Sequence, residues 1–224
     1  MARVNVMGPI VPNEYKEWYE FWGEDCTVPR DIQAAVDTLP DGEGLDVYIN
    51  SPGGEIASGS EIYAILRACD RTRIHVVGQA HSAASIVAMS GWSEMAPTAL
   101  MMVHCVSTYA GGNHADMEHA AEVLRTADEA LCTAYTEKSG MTKKDALAMM
   151  EHETWLTAEQ AKAKGLIDQV MFEESKQSDM VAFDGGFKLP SKEQLEAVRR
   201  EKEKGSCKNR QVRAQLELLK LNRR

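Results

Sequence analysis

The sequence predicts an α/β fold with a mainly parallel sheet. Its 224 residues are 44% hydrophobic, which is typical of a globular core. Apolar runs at residues 45–50, 74–79 and 99–104 alternate with stretches of helical spacing, and the connections are short. Such strand–helix–strand units favour right-handed crossovers, so the strands run parallel and their carboxyl ends meet at one edge. Ligands of parallel sheets bind at that edge.

The first part of the chain supplies the start of this sheet. Residues 3–11 alternate weakly and predict an edge strand, and residues 14–22 are rich in aromatic side chains. A helix over residues 29–40 begins with a proline, which suits a first helical turn. The first central strand ends at a Ser-Pro-Gly-Gly turn at residues 51–54, and residues 56–69 again show helical spacing.

The second part of the chain repeats the strand–helix pattern and adds a long helix. Strand 74–79 leads into a tight turn at Ser82 and a helix over residues 83–89. Residues 115–139 carry an apolar stripe at three- and four-residue steps, which predicts one long helix. That helix either pairs with a neighbouring subunit or packs on its own domain. The remaining predicted elements are a short helix after Thr142, a capping-box helix over residues 157–165 and a last strand over residues 166–172.

A change in composition after residue 172 predicts a domain boundary. We expect residues 1–172 to form the domain and residues 173–224 to form a polar linker and a basic tail, helical or disordered. Residues 188–224 hold 12 Lys and Arg against 5 Asp and Glu, a net charge of +7. Because the whole chain has a net charge of −9, the remaining residues carry −16. An acidic body argues against nucleic acid as a main partner. The tail either tethers the chain to an acidic partner or is a solvated helix.

The chain shows no sign of export, membrane insertion or a metal centre. No apolar run reaches the ~20 residues that span a bilayer, so we expect a cytoplasmic protein without a membrane partner. The five cysteines are scattered and never occur in C-x-x-C spacing, which predicts free thiols and neither a metal nor another cofactor. Five histidines are interpreted as surface or locally hydrogen-bonded residues: His75, His81, His114, His119 and His152.

Ser82 and His104 are the candidate catalytic pair. Ser82 lies where a strand turns into a helix, beside unpaired backbone amides, which suits a nucleophile; the alternative is a simple helix N-cap. His104 ends the next predicted strand, 22 residues later, and is placed to act as its base if the two strands are neighbours. The alternative is a histidine bonded to a local loop.

Other residues at the same sheet edge complete a hydrolytic site. Glu153 is the candidate that orients the base, chosen from the polar residues that precede a Trp-Leu pair. Gly53 and Gly54 bear no Cβ and allow close approach of their amides to a carbonyl. Together with the Ala83 amide they are the candidate oxyanion hole. The G-x-S-x-G motif is absent around Ser82, which disfavours an α/β-hydrolase elbow.

Four motifs in order resemble the Clp protease proteolytic subunit (ClpP) family, most closely its phage and prophage head maturation branch. They are Tyr-Ile-Asn-Ser-Pro-Gly-Gly at residues 48–54, Gly-Gln-Ala-His-Ser-Ala-Ala at 78–84, Met-Val-His at 102–104, and Glu-Thr-Trp-Leu-Thr-Ala-Glu at 153–159 leading to Gly-Leu-Ile-Asp at 165–168. The resemblance covers roughly residues 40–172. It departs from the main family at Glu153, where aspartate is usual.

The resemblance implies a ClpP/crotonase-like fold and a serine endopeptidase inside a stacked, homo-oligomeric ring. Ser82 matches the nucleophile, His104 the base, Glu153 the third residue, and Gly54 and Ala83 the oxyanion donors. Helix 115–139 corresponds to the projecting handle between rings. Implied substrates are proteins or peptides, in the phage branch capsid or scaffold proteins. The N-terminal segment does not resemble the loops that engage an ATPase, so that partner stays open. The alternatives are a non-catalytic assembly ring and a crotonase-type acyl-CoA enzyme.

Overall fold

A seven-stranded sheet organises the residues that the computed structural model describes, 2–40 and 42–173. The strands are β1 (Ala2–Met7), β2 (Leu45–Ser51), β3 (Thr72–His81), β4 (Trp92–Met95), β5 (Leu100–Val103), β6 (Thr154–Thr157) and β7 (Gln169–Val170). The order β1-β2-β3-β4-β7 is parallel throughout. β5 also pairs parallel with β3, at the carboxyl-terminal part of that strand, and β6 pairs antiparallel with β5. The prediction of a mainly parallel sheet is therefore confirmed.

Seven α-helices accompany the sheet in the described part of the chain. They are α1 (Lys16–Trp22), α2 (Pro29–Asp37), α3 (Ile56–Arg67), α4 (Ala83–Ala88), α5 (His114–Ser139), α6 (Lys143–Glu151) and α7 (Ala158–Ala163), with a 3-10 turn at Asn13–Tyr15 before α1. Pro29 is the first residue of α2, as its fixed φ favours. The side chain of Thr157 caps α7 in a capping box with Gln160.

One face of the sheet carries the core. Leu45, Val47 and Ile49 alternate along β2 and are fully buried, because successive strand residues point to opposite faces. Ile62 and Leu66 of α3 are equally buried and belong to the same apolar cluster. Each such side chain contributes roughly 1.5–3 kcal/mol through burial, so the strands near the site are firmly held.

The long helix α5 projects from this core over its first half. Asn113 and Asp116 form a capping box at its start, and Gly140 ends it with a φ of 74°. Its buried residues all lie in the second half and are Asp128, Cys132, Ala134 and Tyr135. Exposed Met117 and Val123 lie in the first half. The helix thus packs on the domain through its carboxyl-terminal half and extends beyond it with the other.

Two strands were missed in the sequence and two were predicted too long. The edge strand predicted over residues 3–11 is Ala2–Met7. β4 and β6 have only four residues each, and β6 ends at Thr157, the N-cap of α7, so the helix signal obscured it. The predicted last strand, residues 166–172, is reduced to Gln169–Val170 because bends and a turn surround this pair. The correction at β6 matters for the site, since this strand positions Glu153.

The predicted linker and basic tail lie outside the described residues, apart from Glu173. No helix among residues 2–40 and 42–173 is both long and apolar enough to cross a membrane.

Candidate active site

Ser82 lies on a strained turn between β3 and α4. Its φ of 54° and ψ of −126° are unusual for a residue with a side chain, and such strain costs of order 1–3 kcal/mol. The turn is held by its backbone: the Ser82 N–H donates to the carbonyl of Met102 at 2.9 Å, and the Ser85 hydroxyl donates to the Ser82 carbonyl at 2.6 Å. The Ser82 side chain makes no capping hydrogen bond to α4. Ser82 therefore takes the N-cap position of α4, as the alternative predicted, but its side chain does not act as a cap.

The Ser82 hydroxyl is instead paired with His104. The Nε2 atom of His104 lies 2.7 Å from the Oγ atom of Ser82. This contact arises because β5 pairs in parallel with the end of β3, His81 opposite Met102, so that both chains leave the sheet side by side. The imidazole is half-buried at the sheet edge. A histidine at this distance is placed to take the serine proton.

Glu153 lies next to this pair in the strand register but does not bond to it. Val103 of β5 pairs with Thr154 of β6, so His104 and Glu153 lie one position beyond this pair, just outside the two strands. Glu153 has a φ of 45° and an exposed side chain. Its Oε1 atom accepts a hydrogen bond of 3.2 Å from the indole Nε1 of Trp155. The structure thus assembles the serine–histidine pair and leaves the carboxylate engaged elsewhere.

The glycine turn packs directly against Ser82. A Cβ atom on Gly53 would lie 2.5 Å from the His81 carbonyl oxygen and 2.8 Å from the Ser82 Cβ, so no side chain fits there. The Gly53 N–H donates to the Ser51 hydroxyl at 3.1 Å and is already occupied. Gly54 faces Ile10 in a parallel bridge.

Two of the three candidate oxyanion donors keep an amide available. The bridge uses the Gly53 carbonyl and the Glu55 N–H, which bond Ile10 at 2.8 Å each, and does not use the N–H of Gly54. The Ala83 N–H is the first amide of α4 and has no intrahelical acceptor. Gly54 and Ala83 therefore suit the stabilisation of a developing oxyanion better than Gly53.

His81 and Trp155 form a contact that was missed in the sequence. The His81 ring packs edge-on against Trp155 with centroids 4.8 Å apart. Its Nε2 atom is buried without a hydrogen bond in the described part of the molecule, which corrects the surface or hydrogen-bonded role expected for this histidine. Burial lowers the pKa of His81, which favours a neutral ring. By contrast His75 bonds Asp46 and Glu94, as expected for a local role.

Asp128 is a second missed residue beside the site. This carboxylate of α5 is 9% exposed, and its Oδ1 accepts the Val106 N–H at 2.7 Å. Burial, together with the charge of Asp128, raises the pKa of Cys105 to about 11. Because residues 105 and 106 follow His104 directly, helix α5 anchors the backbone that carries the base. A buried acid in a polar helix has no sequence pattern that reveals such a role.

Changing Glu153 tests whether its carboxylate serves His104. We expect Glu153→Gln to slow the reaction of Ser82 with a fluorophosphonate by roughly 10²-fold or more, because a neutral amide cannot stabilise the imidazolium. Trp155→Phe removes the competing indole N–H and is expected to preserve or raise the rate. The second-order labelling rate constant is the measurement, with Glu151→Gln as an exposed neighbouring control. A Glu153→Gln rate equal to that of the control would remove Glu153 from the site.

A strained serine after a parallel strand, an imidazole on its hydroxyl and amides at a helix start are typical of serine hydrolases. The family model described as Clp protease matches residues 32–174, which is 143 of the 224 residues. The chain belongs to the Clp protease family, as its four motifs predicted.

Two curated relatives illustrate the likeness. The chain is 29% identical over 140 residues to the ATP-dependent Clp protease proteolytic subunit of Bacteroides fragilis, which covers 61% of this chain and 68% of that protein. It is 32% identical over 131 residues to the ATP-dependent Clp protease proteolytic subunit 1 of Streptomyces avermitilis, which covers 57% of this chain and 60% of that one. The chain thus spans about two thirds or less of the length of these relatives.

Proposed function

We propose that the chain is a serine-type endopeptidase. The observation that carries this proposal is the 2.7 Å contact between His104 Nε2 and Ser82 Oγ on a strained turn. Membership of the Clp protease family and relatives named as proteolytic subunits support it.

The proposed reaction begins with attack of the Ser82 oxygen on a peptide carbonyl while His104 takes the hydroxyl proton. The carbonyl electron pair moves to its oxygen, and the amides of Gly54 and Ala83 stabilise that negative charge. The intermediate then collapses, the C–N bond breaks, and the imidazolium gives its proton to the leaving amine. Water then attacks the acyl carbonyl while His104 takes its proton. The second intermediate collapses, the bond to the Ser82 oxygen breaks, and His104 returns the proton to Ser82.

Glu153 completes this proposal as the group that orients the base. When substrate is bound, its carboxylate gives up the hydrogen bond from the Trp155 indole and accepts one from the His104 imidazole. The strand register supports this exchange, because His104 and Glu153 lie opposite each other one position beyond the Val103–Thr154 pair.

Covalent labelling of Ser82 tests the activity. We expect a fluorophosphonate to modify the wild-type chain at a single site, which peptide mass mapping assigns to Ser82, and to leave Ser82→Ala unmodified. Ser107→Ala, a change at an exposed serine close to His104, serves as the matched control and should label as the wild type does. A folded wild-type chain that stays unlabelled would contradict the proposal and favour a non-catalytic assembly ring. Tight binding of coenzyme A would favour the acyl-CoA alternative.

We further propose that the chain forms a homo-oligomeric ring, with stacking through the exposed first half of α5. Family membership supports the ring, and the exposure of Met117 and Val123 supports the contact. The native mass of the protein used for labelling tests ring formation and stacking.

We also propose that the chain is a cytoplasmic enzyme whose domain ends near residue 172 and is followed by a basic tail.

The physiological substrate that we propose is a capsid or scaffold protein of a phage or prophage. The motif resemblance to the head maturation branch, including glutamate at position 153, supports this role. Processing of a co-expressed capsid or scaffold protein, lost in Ser82→Ala, is the test. Whether an ATPase is required is answered by the same assay without nucleotide.

A further inference from the structure

Helix α1 presents an aromatic surface to solvent. Tyr15 just before it and Trp18, Phe21 and Trp22 within it are 53%, 55%, 78% and 61% exposed, and no residue of α1 is buried. Three of these rings contact one another: the ring centroids of Trp18 and Trp22 lie 6.3 Å apart, and those of Phe21 and Trp22 lie 5.1 Å apart. We call these four side chains the aromatic patch. A contiguous exposed patch of this kind marks an interaction site.

The patch is held in a fixed place rather than on a loose loop. Both ends of the segment that carries it, residues 11–27, meet at Ile10, which bridges Thr27 and Gly54. The Val11 N–H donates to the Thr27 carbonyl at 3.0 Å. Lys16 of α1 donates to Asp31 of α2 at 2.6 Å. The fold therefore presents these rings at a constant position, which lowers the entropy cost of binding a partner.

The charge around the patch selects the partner. Four exposed carboxylates neighbour the patch along the chain and make no ion pair within the described residues: Glu14, Glu17, Glu24 and Asp25. The nearby cation Lys16 is already engaged by Asp31 and Glu20. Aromatic faces attract Lys and Arg, and unpaired carboxylates do so as well. The surface fits a segment that combines cationic and apolar side chains.

The position of the segment relates it to the proposed site. Residues 11–27 leave and rejoin the fold at Ile10, whose other neighbour is Gly54 of the candidate oxyanion turn. We propose that the aromatic patch binds a cationic, apolar segment of the protein substrate and holds it beside Ser82. The inference rests on the proposed endopeptidase activity and names the class of substrate it selects. Neither the catalytic pair nor the oxyanion donors account for these exposed rings.

Binding is tested in the full chain carrying Ser82→Ala, which cannot turn over the probe. The probe is a fluorescein-labelled peptide of alternating Lys and Leu, and the matched probe carries Glu in place of Lys. We expect the lysine peptide to bind at least tenfold more tightly, with affinity falling as salt rises. Trp18→Ala with Phe21→Ala should weaken binding at least tenfold, as loss of aromatic anchors does. Trp92→Ala, at an exposed tryptophan of β4, should leave it unchanged.

Hydrolysis tests the link to the active site. Casein fused to the lysine peptide should be cleaved by the wild-type chain with a KM at least fivefold below that of casein fused to the glutamate peptide, at similar kcat. The Trp18→Ala/Phe21→Ala variant should lose that difference while its Ser82 labels normally. Equal KM values for the two fusions in the wild type would overturn the proposal, as would a native mass altered by the variant, because the patch would then join subunits. Failure of the endopeptidase proposal itself is distinguishable, since wild-type Ser82 would then not label.

Discussion

Replacing His104 with alanine is expected to slow both labelling of Ser82 and peptide hydrolysis by roughly 10³-fold or more. The serine hydroxyl is a poor nucleophile while it keeps its proton, and His104 Nε2, at 2.7 Å, is the group in reach of that proton in the described structure. Loss of the base raises the barrier of the attack without altering the oxyanion donors. The effect should therefore fall on kcat more than on KM.

Two comparisons separate lost chemistry from lost structure. His119→Ala changes an exposed histidine on the projecting half of α5 and should label like the wild type. Unfolding of His104→Ala in urea should differ little from that of the wild type, because the imidazole is only half-buried. A His104→Ala chain that is folded and still labels at the wild-type rate would show that another group activates Ser82.

The sheet edge was predictable because short-range patterns determine it. Buried alternation at Leu45, Val47 and Ile49 identifies a strand, and a strand followed by glycines and a helix gives the turn. Once the strands are parallel, their carboxyl ends must share an edge, so Gly54, Ser82 and His104 were expected to lie together. The structure brings these three regions together.

The orientation of side chains was less predictable. The sequence alone could not decide whether Ser82 is a helix cap or a nucleophile. The distinguishing features are its backbone φ of 54° and its contact with His104, 22 residues away, and neither leaves a local pattern. The partner of Glu153 depends on β6, whose four residues are hidden by the capping box that follows. Contacts that join distant segments, such as Asp128 with Val106, leave no local pattern.

The aromatic segment shows a further limit of patterns. Clustered aromatic residues at 14–22 usually indicate a core, yet α1 buries none of them. The segment leaves and rejoins the fold at Ile10, which is fully buried in the core, whereas α1 itself places no side chain there. Only the assembled sheet shows that the segment stands beside the candidate oxyanion turn, and so suggests a use for it.

Gly53→Ala is expected to disrupt the site by steric collision as well as by backbone strain. The new Cβ would lie 2.5 Å from the His81 carbonyl oxygen and 2.8 Å from the Ser82 Cβ, and the φ of 88° is itself unfavourable for alanine. Strain of this conformation costs about 1–2 kcal/mol and overpacking about 1–3 kcal/mol. We expect unfolding free energy to fall by roughly 2–5 kcal/mol and Ser82 labelling to be lost.

Gly140→Ala isolates the two contributions. Gly140 has a φ of 74°, and nothing lies within 4 Å of the position its Cβ would take, so alanine there adds strain without collision. Urea unfolding of both variants gives the steric part as the difference between them, and labelling should persist in Gly140→Ala alone. Equal destabilisation with labelling retained in both would mean that the glycine turn does not press on Ser82.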